Sequence, residues 1–230
     1  AHIAHDLTRL REFGLKPSNE MTVDASRVMA HVRQVVEADA AGHTGQDIEA
    51  EGIDMVFGPA RFLDAHQIQV GDRIISAKRF VIATGSHPLV PDIKGLSDIP
   101  YLTNETVFSL EELPQSLIVL GGGPIGIEMA SALKRLQVDV TVLQQSKHIL
   151  ERDDRELTDR LLKSLQDEGI RILLETKAMR FSQTDQGVLV EVKGPEGPKQ
   201  IVAEAVLVAA GREPNLDKLD LHAAGINYDK

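Results

Sequence analysis

The stretch from Ser116 to Leu150 restricts the fold of this chain more than any other. Its first apolar residues, Leu117–Leu120, lie between a polar serine and a cluster of glycines, which predicts a short buried strand. A helical pattern follows, with apolar residues spaced four, four and three apart at Ile125, Met129, Leu133 and Leu136. Valines then alternate with polar residues from 138 to 142, and this second β pattern ends at Gln144. The stretch therefore predicts a β-α-β unit.

The glycine cluster has the spacing G-x-G-x-x-G, with Gly121, Gly123 and Gly126 at the glycine positions. The first glycine allows a tight turn, the second lets the backbone approach a pyrophosphate, and the third lets the helix pack against the strand. The free N–H groups and the positive dipole end of the helix then face the phosphates. This motif alone is weak, but here it joins a strand to a helix, and the ribose-reading position follows about 20 residues later. We therefore predict a dinucleotide site rather than a glycine turn without a ligand.

Length and composition exclude several classes of protein. With 230 residues the chain could form one large α/β domain or two smaller ones. The net charge of −10 argues against nucleic acid or an anionic membrane as a partner. The chain has no run of 18 apolar residues and no charged-then-apolar leader, so we expect no membrane span and a cytoplasmic location. The absence of cysteine excludes disulfides and dithiol chemistry carried by this chain.

The two ends of the sequence suggest a piece of a longer protein. The chain starts at Ala1 inside a helical pattern with no capping residue before it, and it stops at Lys230 shortly after a glycine. His2 and His5 lie three residues apart on that first helix. We interpret them as residues of an exposed helix, and we predict no metal site.

The first half of the chain predicts helices and then strands. A helix is expected from Ala1 to about Phe13, ended by Gly14 and Pro17. Asp24 suits the N-cap of a second helix, which frays around residues 41–42 and whose apolar face is predicted at Val28, Val32, Val35 and Val36. Strands are expected over 53–58, 61–70 and 73–77, with a turn at residues 71–72, and again over 80–83. Breakers then predict a linker over residues 87 to about 115, namely Pro88, Pro91, Gly95 and Pro100.

The second half alternates helix and strand. Asp153 is a candidate N-cap, with Glu156 completing a capping box, for a helix that ends at Gly169 and whose buried stripe is predicted at Leu157, Leu161, Leu162 and Leu165. A strand is expected over 170–174, a hairpin over 188–192 and 200–202, and a final strand over 205–209. These elements predict an α/β fold with a parallel sheet, crossover helices and a small antiparallel β-meander.

Four separated motifs stand in one order: GPARF at 58–62, ATGSHPLVPDIKG at 83–95, GGGPIGIE at 121–128 and LVAAGREPN at 207–215. This order closely resembles the class I pyridine nucleotide-disulfide oxidoreductases, the flavoproteins that include dihydrolipoamide dehydrogenase, glutathione reductase and mercuric reductase. The segment over residues 101–114 is most similar to the mercuric-reductase-like branch. The resemblance covers essentially the whole chain.

The resemblance implies a Rossmann-like FAD/NAD(P)-binding domain and part of a second similar domain. On this basis residues 1–115 are expected to be the middle part of the FAD-binding domain with a linker, 116–211 the NAD(P)-binding domain, and 212–230 a segment returning to the FAD-binding domain. The family's N-terminal FAD motif, its CxxxxC redox pair and its dimerisation domain are not in this sequence. We therefore expect a homodimeric parent and an internal fragment that lacks reductase activity and does not hold FAD firmly. The sequence leaves open whether the fragment is a monomer.

The resemblance also assigns roles to individual residues. On the flavin side, Ala60 would offer its backbone to the FAD adenine, and a short segment would lie beside the ADP moiety: Thr84, Gly85 and Ser86. The turn that would hold the pyrophosphate of the nicotinamide dinucleotide comprises Gly121, Gly122, Gly123, Pro124, Ile125 and Gly126. Three further residues would lie by the ribose or the nicotinamide: Glu128, Ala178 and Gly211. No catalytic residue is assigned.

The choice between NAD and NADP is read at the end of the second strand. NAD-binding folds place an acid there to accept bonds from both ribose hydroxyls, whereas NADP-binding ones supply an arginine. This chain has Gln144 at the acid position and Gln145 where the arginine would be, with Lys147 and His148 near enough to meet a 2′-phosphate. A glutamine can still bond the hydroxyls, and Gly126 is a feature of the NAD-dependent members. The sequence therefore favours NAD and leaves NADP open.

In an intact parent the implied reaction is hydride transfer from the nicotinamide to the flavin, with the protein supplying orientation and electrostatics. Two alternatives remain open. A self-contained NAD-dependent dehydrogenase would need a catalytic histidine, tyrosine or lysine by the nicotinamide, and none is evident next to the glycine turn. A non-catalytic NAD-binding or redox-sensing module would have no use for the motifs on the flavin side.

Overall fold

The computed structural model describes residues 1–10, 22–42 and 45–229. Within this part of the chain the α-helices are α1 (His2–Thr8), α2 (Ala25–Ala41), α3 (Gly45–Ala50), α4 (Pro124–Arg135) and α5 (Arg155–Asp167). Two short 3-10 helices cover Val107–Ser109 and Leu221–Ala224. None of the helices in the described ranges is long and apolar enough to cross a membrane.

The strands of the described chain form four separate sheets. In chain order the strands are β1 (Ala60–Asp64), β2 (Gln67–Val70), β3 (Arg73–Ser76), β4 (Ser86–Pro88), β5 (Ser116–Leu120), β6 (Asp139–Leu143), β7 (Arg171–Leu173), β8 (Lys177–Thr184), β9 (Gly187–Gly194), β10 (Gly197–Ala203), β11 (Ala205–Val208) and β12 (Arg212–Pro214).

A four-stranded parallel sheet, in the order β11-β5-β6-β7, carries the predicted β-α-β unit. Strand β5 lies between β11 and β6, and its residues are buried on both faces of the sheet. Leu117 and Val119 face a core that includes residues of α4 and α5. Ile118 and Leu120 face a second core, formed with residues of β8 and β9. Because both faces are covered, the strand has a continuous apolar sequence instead of an alternating one.

The antiparallel sheet has the order β10-β9-β8 and packs against the parallel sheet through the second core. The predicted hairpin is β9 with β10, joined by Pro195 and Glu196. Strand β8 is an additional member that the sequence analysis did not identify. Its exposed positions carry polar residues and Met179, while Ala178 and Phe181 are buried, so its apolar pattern is sparse and irregular. The parallel sheet, the crossover helices and the antiparallel meander match the predicted fold class.

The described chain divides into two compact units: Ala1–Val35 with Pro88–Gly211, and Val36–His87 with Arg212–Lys230. The first contains both sheets above. The second contains the antiparallel sheet β1-β2-β3 and the pair β12-β4. Its small core comprises Phe62, Leu219 and Leu221, and Phe62 meets Phe80 edge to face with ring centroids 5.4 Å apart.

The N-terminal helices differ in detail from the predicted ones. Helix α1 ends at Thr8, and the residues predicted to continue and end it, Phe13, Gly14 and Pro17, lie outside the described residues. Asp24 caps α2 as predicted, since its Oδ1 accepts a hydrogen bond from the Arg27 N–H. The buried face of α2 lies nearer the start of the helix than the apolar pattern predicts. Met29 is its buried residue, whereas Val35 and Val36 are 54% and 52% exposed.

Two predicted strands are not formed. Residues 53–58 and 80–83 have no strand structure, and Val81 is 91% exposed. A compact apolar segment forms a strand only where a neighbouring strand satisfies its backbone N–H and C=O groups. No strand of the described chain pairs with either segment. Residues 45–50, for which no element is predicted, form the short helix α3.

The predicted helix faces around the central unit need correction. In α4 the buried positions are Gly126, Ile127, Ala130 and Leu133, while Ile125 and Met129 are only partly buried. In α5 the buried positions are Thr158 and Leu165, and Leu157 is 63% exposed. Both helices contribute buried residues to the core on one face of the parallel sheet. The buried face of each helix is rotated around the helix axis relative to the predicted apolar stripe.

The proline-rich segment over residues 87–115 is integrated into the first unit. Leu96, Ile99 and Val107 are buried in its two cores. Lys94 forms an isolated bridge to Arg180 of β8, and Leu102 forms one to Leu207 of β11. The breakers therefore mark irregular backbone rather than a loosely attached connection.

Candidate functional site

The turn after β5 can be formed only by glycine at its first position. Gly121 has a φ of +116°, and a Cβ built on it would lie 2.3 Å from the Ala209 carbonyl oxygen. Its N–H donates to the Leu143 carbonyl at 2.9 Å, which fixes the turn at the carboxyl ends of β5 and β6. The turn therefore lies at the edge of the parallel sheet where ligands bind in open α/β folds.

Helix α4 starts directly against this turn. Gly126 is buried in its first turn, and a Cβ there would lie 2.1 Å from the Gly121 carbonyl oxygen. Gly123 differs, since a Cβ on it would meet no atom within 4 Å. The middle glycine of the motif therefore faces open space, while the outer two hold the strand and the helix together.

The start of α4 is available to an anion. Gly123 is its N-cap and makes no side-chain capping bond, and Pro124 at the first helical position has no N–H. The first turn carries no acidic residue, and Lys134 and Arg135 lie in the last turn. The partial positive charge at the helix start is thus not offset by a carboxylate of its own first turn. A helix start with open space in front of its N-cap fits the diphosphate of a dinucleotide.

Gln144 connects two segments of the site. Its Oε1 accepts a hydrogen bond from the Gly122 N–H at 2.9 Å, and its Nε2 donates one to the His148 carbonyl at 3.0 Å. The Leu150 N–H donates to the Gly122 carbonyl at 2.9 Å. The glycine turn and the loop over residues 144–150 are therefore tied together on both sides of Gly122.

The other residues predicted around the nucleotide differ in exposure. Glu128, Gln145 and Lys147 are exposed, and His148 is half-buried. The Nδ1 of His148 is the buried side-chain polar atom that has no hydrogen-bond partner among the described residues.

Ala178 and Gly211 lie at different depths in the first unit. Ala178 is buried in β8, opposite Val192 and just before an irregularity of the ladder. Gly211 is exposed, and its carbonyl accepts a hydrogen bond from the Leu89 N–H at 3.0 Å. Gly211 lies two residues after Ala209, whose carbonyl borders Gly121. Ala178 lies two residues after Thr176, whose N–H donates to the Gln144 carbonyl at 2.9 Å.

In the second unit the ATGSHP and GREPN motifs bind each other. Thr84 Oγ1 donates to the Asn215 carbonyl at 2.9 Å, and Asn215 Nδ2 donates back to the Thr84 carbonyl at 2.9 Å. Arg212 Nε donates to Ser86 Oγ at 2.7 Å, and the Asn215 N–H donates to the Gly85 carbonyl at 3.0 Å. Ala60 begins β1 and pairs with Val70. Arg212 therefore fixes the backbone between these two motifs.

A two-bond ion pair with little exposure to water lies at the far end of α4 from the glycine turn. Arg135 donates two hydrogen bonds of 2.8 Å to the carboxylate of Glu168, and both side chains are largely buried. These bonds, and the positive charge behind them, hold the pKa of Glu168 below its usual range and raise that of Arg135. The pair joins α4 to the end of α5 and contacts no part of the turn, so we assign it to stability.

Comparison with known proteins places the chain among the oxidoreductases. A family model described as pyridine nucleotide-disulphide oxidoreductase matches residues 13–230. The chain belongs to this family. A mercuric reductase of Staphylococcus aureus is 36% identical over 80% of this chain and 34% of its own length. A dihydrolipoyl dehydrogenase of Thermus scotoductus is 32% identical over 100% of this chain and 50% of its own length.

Solved structures agree with this family. A Cu(II) complex of the HOCl-induced flavoprotein disulfide reductase RclA from Escherichia coli superposes with a TM-score of 0.81 and 28% identity, covering 99% of this chain and 49% of that one. The family resemblance and the α/β fold class predicted from sequence are thus confirmed. The chain spans between 34% and 50% of the length of these two curated relatives. The activity of a whole protein is therefore a matter for proposal.

Sequence reasoning identified the glycine turn but not the bridging role of Gln144. It treated this residue only as a substitute for the ribose-binding acid. One signal was available, since an amide at this position carries both a donor and an acceptor where the acid carries only acceptors. The partners of that amide, Gly122 and His148, become neighbours only in the folded chain.

Proposed function

We propose that this chain is the nicotinamide dinucleotide-binding portion of an FAD-dependent pyridine nucleotide-disulfide oxidoreductase. The observation that carries the proposal is the open N-terminus of α4 behind Gly123, set against a turn that only glycine can form. Membership of a family described by a pyridine nucleotide and a disulphide supports it. The similarity to the RclA structure, which is that of a flavoprotein disulfide reductase, supports the flavin part.

In this proposal the residues of the turn bind and orient the nucleotide. The N–H groups at the start of α4 would hold the diphosphate, and the open space in front of Gly123 would admit its oxygens. Gly121 and Gly126 keep the strand end and the helix start close enough for those N–H groups to converge. A bound nicotinamide would supply the hydride for a flavin, so the chemistry belongs to the cofactors and the orientation to this chain.

The second unit would contribute part of the flavin side. The hydrogen bonds between the ATGSHP and GREPN motifs give a fixed backbone, which is what a segment lying beside the ADP moiety of FAD requires. We propose that Thr84, Gly85 and Ser86 lie there in the full protein, with Ala60 near the adenine. Without cysteine, this chain cannot carry out the exchange with a disulfide by itself.

The proposal is tested by titrating the chain with NADH and with NADPH by calorimetry, in the original sequence and in Gly123→Ala. The added Cβ meets no protein atom within 4 Å and the φ of −78° suits alanine, so stability should be retained. It would occupy the space proposed for phosphate oxygens, and we expect at least about tenfold weaker binding, or about 1.4 kcal/mol.

Gly42→Ala is the matched control, because its added Cβ makes only ordinary contacts, the nearest at 3.5 Å. It should leave nucleotide affinity unchanged. If the original chain binds neither nucleotide, or if Gly123→Ala binds as tightly as the original, the diphosphate does not lie in front of Gly123 and the proposal fails. A chain that binds nucleotide without FAD-dependent reduction of a disulfide is the result expected here.

A further inference from the structure

We propose that Gln144 is a positioning residue that fixes the shape of the glycine turn, and that it does not read the ribose of the nucleotide. The inference rests on the proposed function of the turn and deepens it, because it reassigns the residue at the position where the choice between NAD and NADP is expected. It is carried by the hydrogen bonds of Gln144 and by its contact with Gly122.

The two bonds of the Gln144 side chain have opposite polarity. Gly122 offers an N–H and needs an acceptor, while His148 offers a carbonyl and needs a donor. A primary amide supplies both from one end of a side chain, and an ionised carboxylate supplies only acceptors. The orientation of the amide is thereby fixed by its partners. Glutamine at this position is what the bridge requires, and an acid would place its charge against the His148 carbonyl.

The backbone of Gln144 is fixed as firmly as its side chain. Its N–H donates to the Leu173 carbonyl at 2.9 Å, and its carbonyl accepts from the Thr176 N–H at 2.9 Å. These bonds join it to the end of β7 and the connection that follows. Every polar group of Gln144 therefore has a protein partner. Binding a ribose hydroxyl would need its remaining amide hydrogen or lone pair in a geometry already set by the turn.

Gly122 is shaped to receive this side chain. A Cβ at residue 122 would lie 3.2 Å from Cβ, Cγ and Cδ of Gln144, so the glutamine stem lies flat against the Gly122 α-carbon. Position 122 is a free position of the G-x-G-x-x-G motif, and the motif does not explain a glycine there. The contact with Gln144 does explain it. The two residues act as one structural unit, in which the aliphatic part of Gln144 packs on Gly122 and its amide accepts the Gly122 N–H.

The decisive variant is Gln144→Glu, because the two possible roles predict opposite signs. If residue 144 read the ribose, an acid would accept bonds from both hydroxyls and NAD⁺ would bind more tightly. If it positions the turn, the carboxylate repels the His148 carbonyl and NAD⁺ should bind about tenfold more weakly near neutral pH. The measurement is the dissociation constant of NAD⁺ for the original chain and the variant.

The pH dependence of NAD⁺ binding by Gln144→Glu distinguishes a positioning role of residue 144 from a general disruption of the structure by the substitution. A protonated carboxyl has an O–H donor and a C=O acceptor, as the amide has, so acidification should restore the bridge. Facing a carbonyl raises the pKa of the introduced carboxyl, which brings its protonation into an accessible range. Between about pH 8 and about pH 5 the ratio of variant to original dissociation constants should fall from about tenfold to about twofold. A ribose reader would instead lose affinity as it is protonated.

Amide hydrogen exchange tests the bridge without any nucleotide. In Gln144→Glu the Gly122 N–H should exchange at least about tenfold faster at neutral pH, while Val119 and Val190 in the two cores exchange unchanged. Gln186→Glu is the matched control, since it makes the same chemical change at an exposed residue of the β8–β9 turn. It should change neither exchange nor NAD⁺ binding.

Tighter NAD⁺ binding by Gln144→Glu, or unchanged exchange at Gly122, would overturn the inference. If the original chain binds no nucleotide at all, the proposed function fails on its own. The exchange measurement would still decide whether Gln144 holds the turn.

Discussion

Single glycines of the turn have different physical roles, although the motif lists them alike. Gly121 is required by its φ of +116° and by the nearby Ala209 carbonyl. Gly126 is required by the close approach of the Gly121 carbonyl. At Gly123, in contrast, no protein atom would be in the way of a Cβ. In the proposed function this open space receives the diphosphate. The sequence predicted all three positions, and the structure distinguishes Gly123, which faces open space, from the two packing positions.

Gly126→Ala is expected to destabilise the first unit by about 1–3 kcal/mol, since backbone at 2.1 Å must shift to admit the methyl group. The measurement is the free energy of unfolding from denaturant titration. Gly123→Ala serves as the comparison and should unfold within about 0.5 kcal/mol of the original chain. Equal stability of the two variants would show that helix and turn are not in the tight contact described.

At the scale of helices and strands, hydrogen bonds and packing neighbours determine where an element begins and which residue caps it, when the local sequence pattern allows more than one choice. The start of α5 is an example. The spacing of Asp153 and Glu156 suggested a capping box, but Asp154 is the N-cap, and its Oδ1 accepts from the N–H groups of Glu156 and Leu157 at 3.0 and 3.2 Å. Both adjacent aspartates are suitable N-cap residues. Only the path of the backbone after Leu150 determines which of them caps the helix.

Asp154→Ala should lower the free energy of unfolding by about 1 kcal/mol, because two N–H groups of the first turn lose their acceptor. Asp153→Ala is the matched control and should change it by less than about 0.5 kcal/mol. Thermal or denaturant unfolding of both variants gives the answer. The reverse order of the two effects would restore the cap assignment made from sequence.

The same scale explains the strands that sequence placed wrongly. Residues 80–83 are apolar and compact, as a buried strand should be, yet no strand of the described chain pairs with them and Val81 is exposed. Strand β8 is the opposite case, since its sequence is mostly polar but its backbone pairs with β9 over its full length. Strand formation depends on a partner, and a partner is not a local property.

At the scale of the whole molecule, one ion pair links the helices of the first unit. Glu168 follows the end of α5, Arg135 ends α4, and His5 of α1 lies 3.8 Å from the Glu168 carboxylate. The side chains of Arg135 and Glu168 are 20% and 16% exposed. Breaking a pair this shielded from water costs more than breaking an exposed one, because it leaves the remaining charge without its partner.

This pair predicts a pH dependence of stability. Since hydrogen bonds from Arg135 lower the pKa of Glu168 in the folded state, its contribution is fully present above the ordinary value of 4.5. The contribution is lost as the pH falls through the lowered folded-state value. We expect the stability of the original chain to fall more steeply below about pH 4.5 than that of Glu168→Gln.

At neutral pH the same variant should be less stable by about 1–3 kcal/mol, because Arg135 loses its charged acceptor. Denaturant unfolding at a series of pH values measures both effects. Parallel pH profiles of the variant and the original chain would show that the pair does not contribute to acid sensitivity. The shared contributions of Asp24 and Glu196, whose pKa values are also lowered by hydrogen bonds, cancel in this comparison.

The sequence by itself determined the β-α-β unit, the glycine turn within it and the family to which the chain belongs. These follow from residues close together along the chain, where steric rules and short-range hydrogen bonds act directly. Tertiary structure alone decided which apolar segments pair as strands, which helix faces are buried and what Gln144 does. Each of these depends on a partner distant in sequence, such as Gly122 for the Gln144 amide, and a local pattern carries no information about that partner.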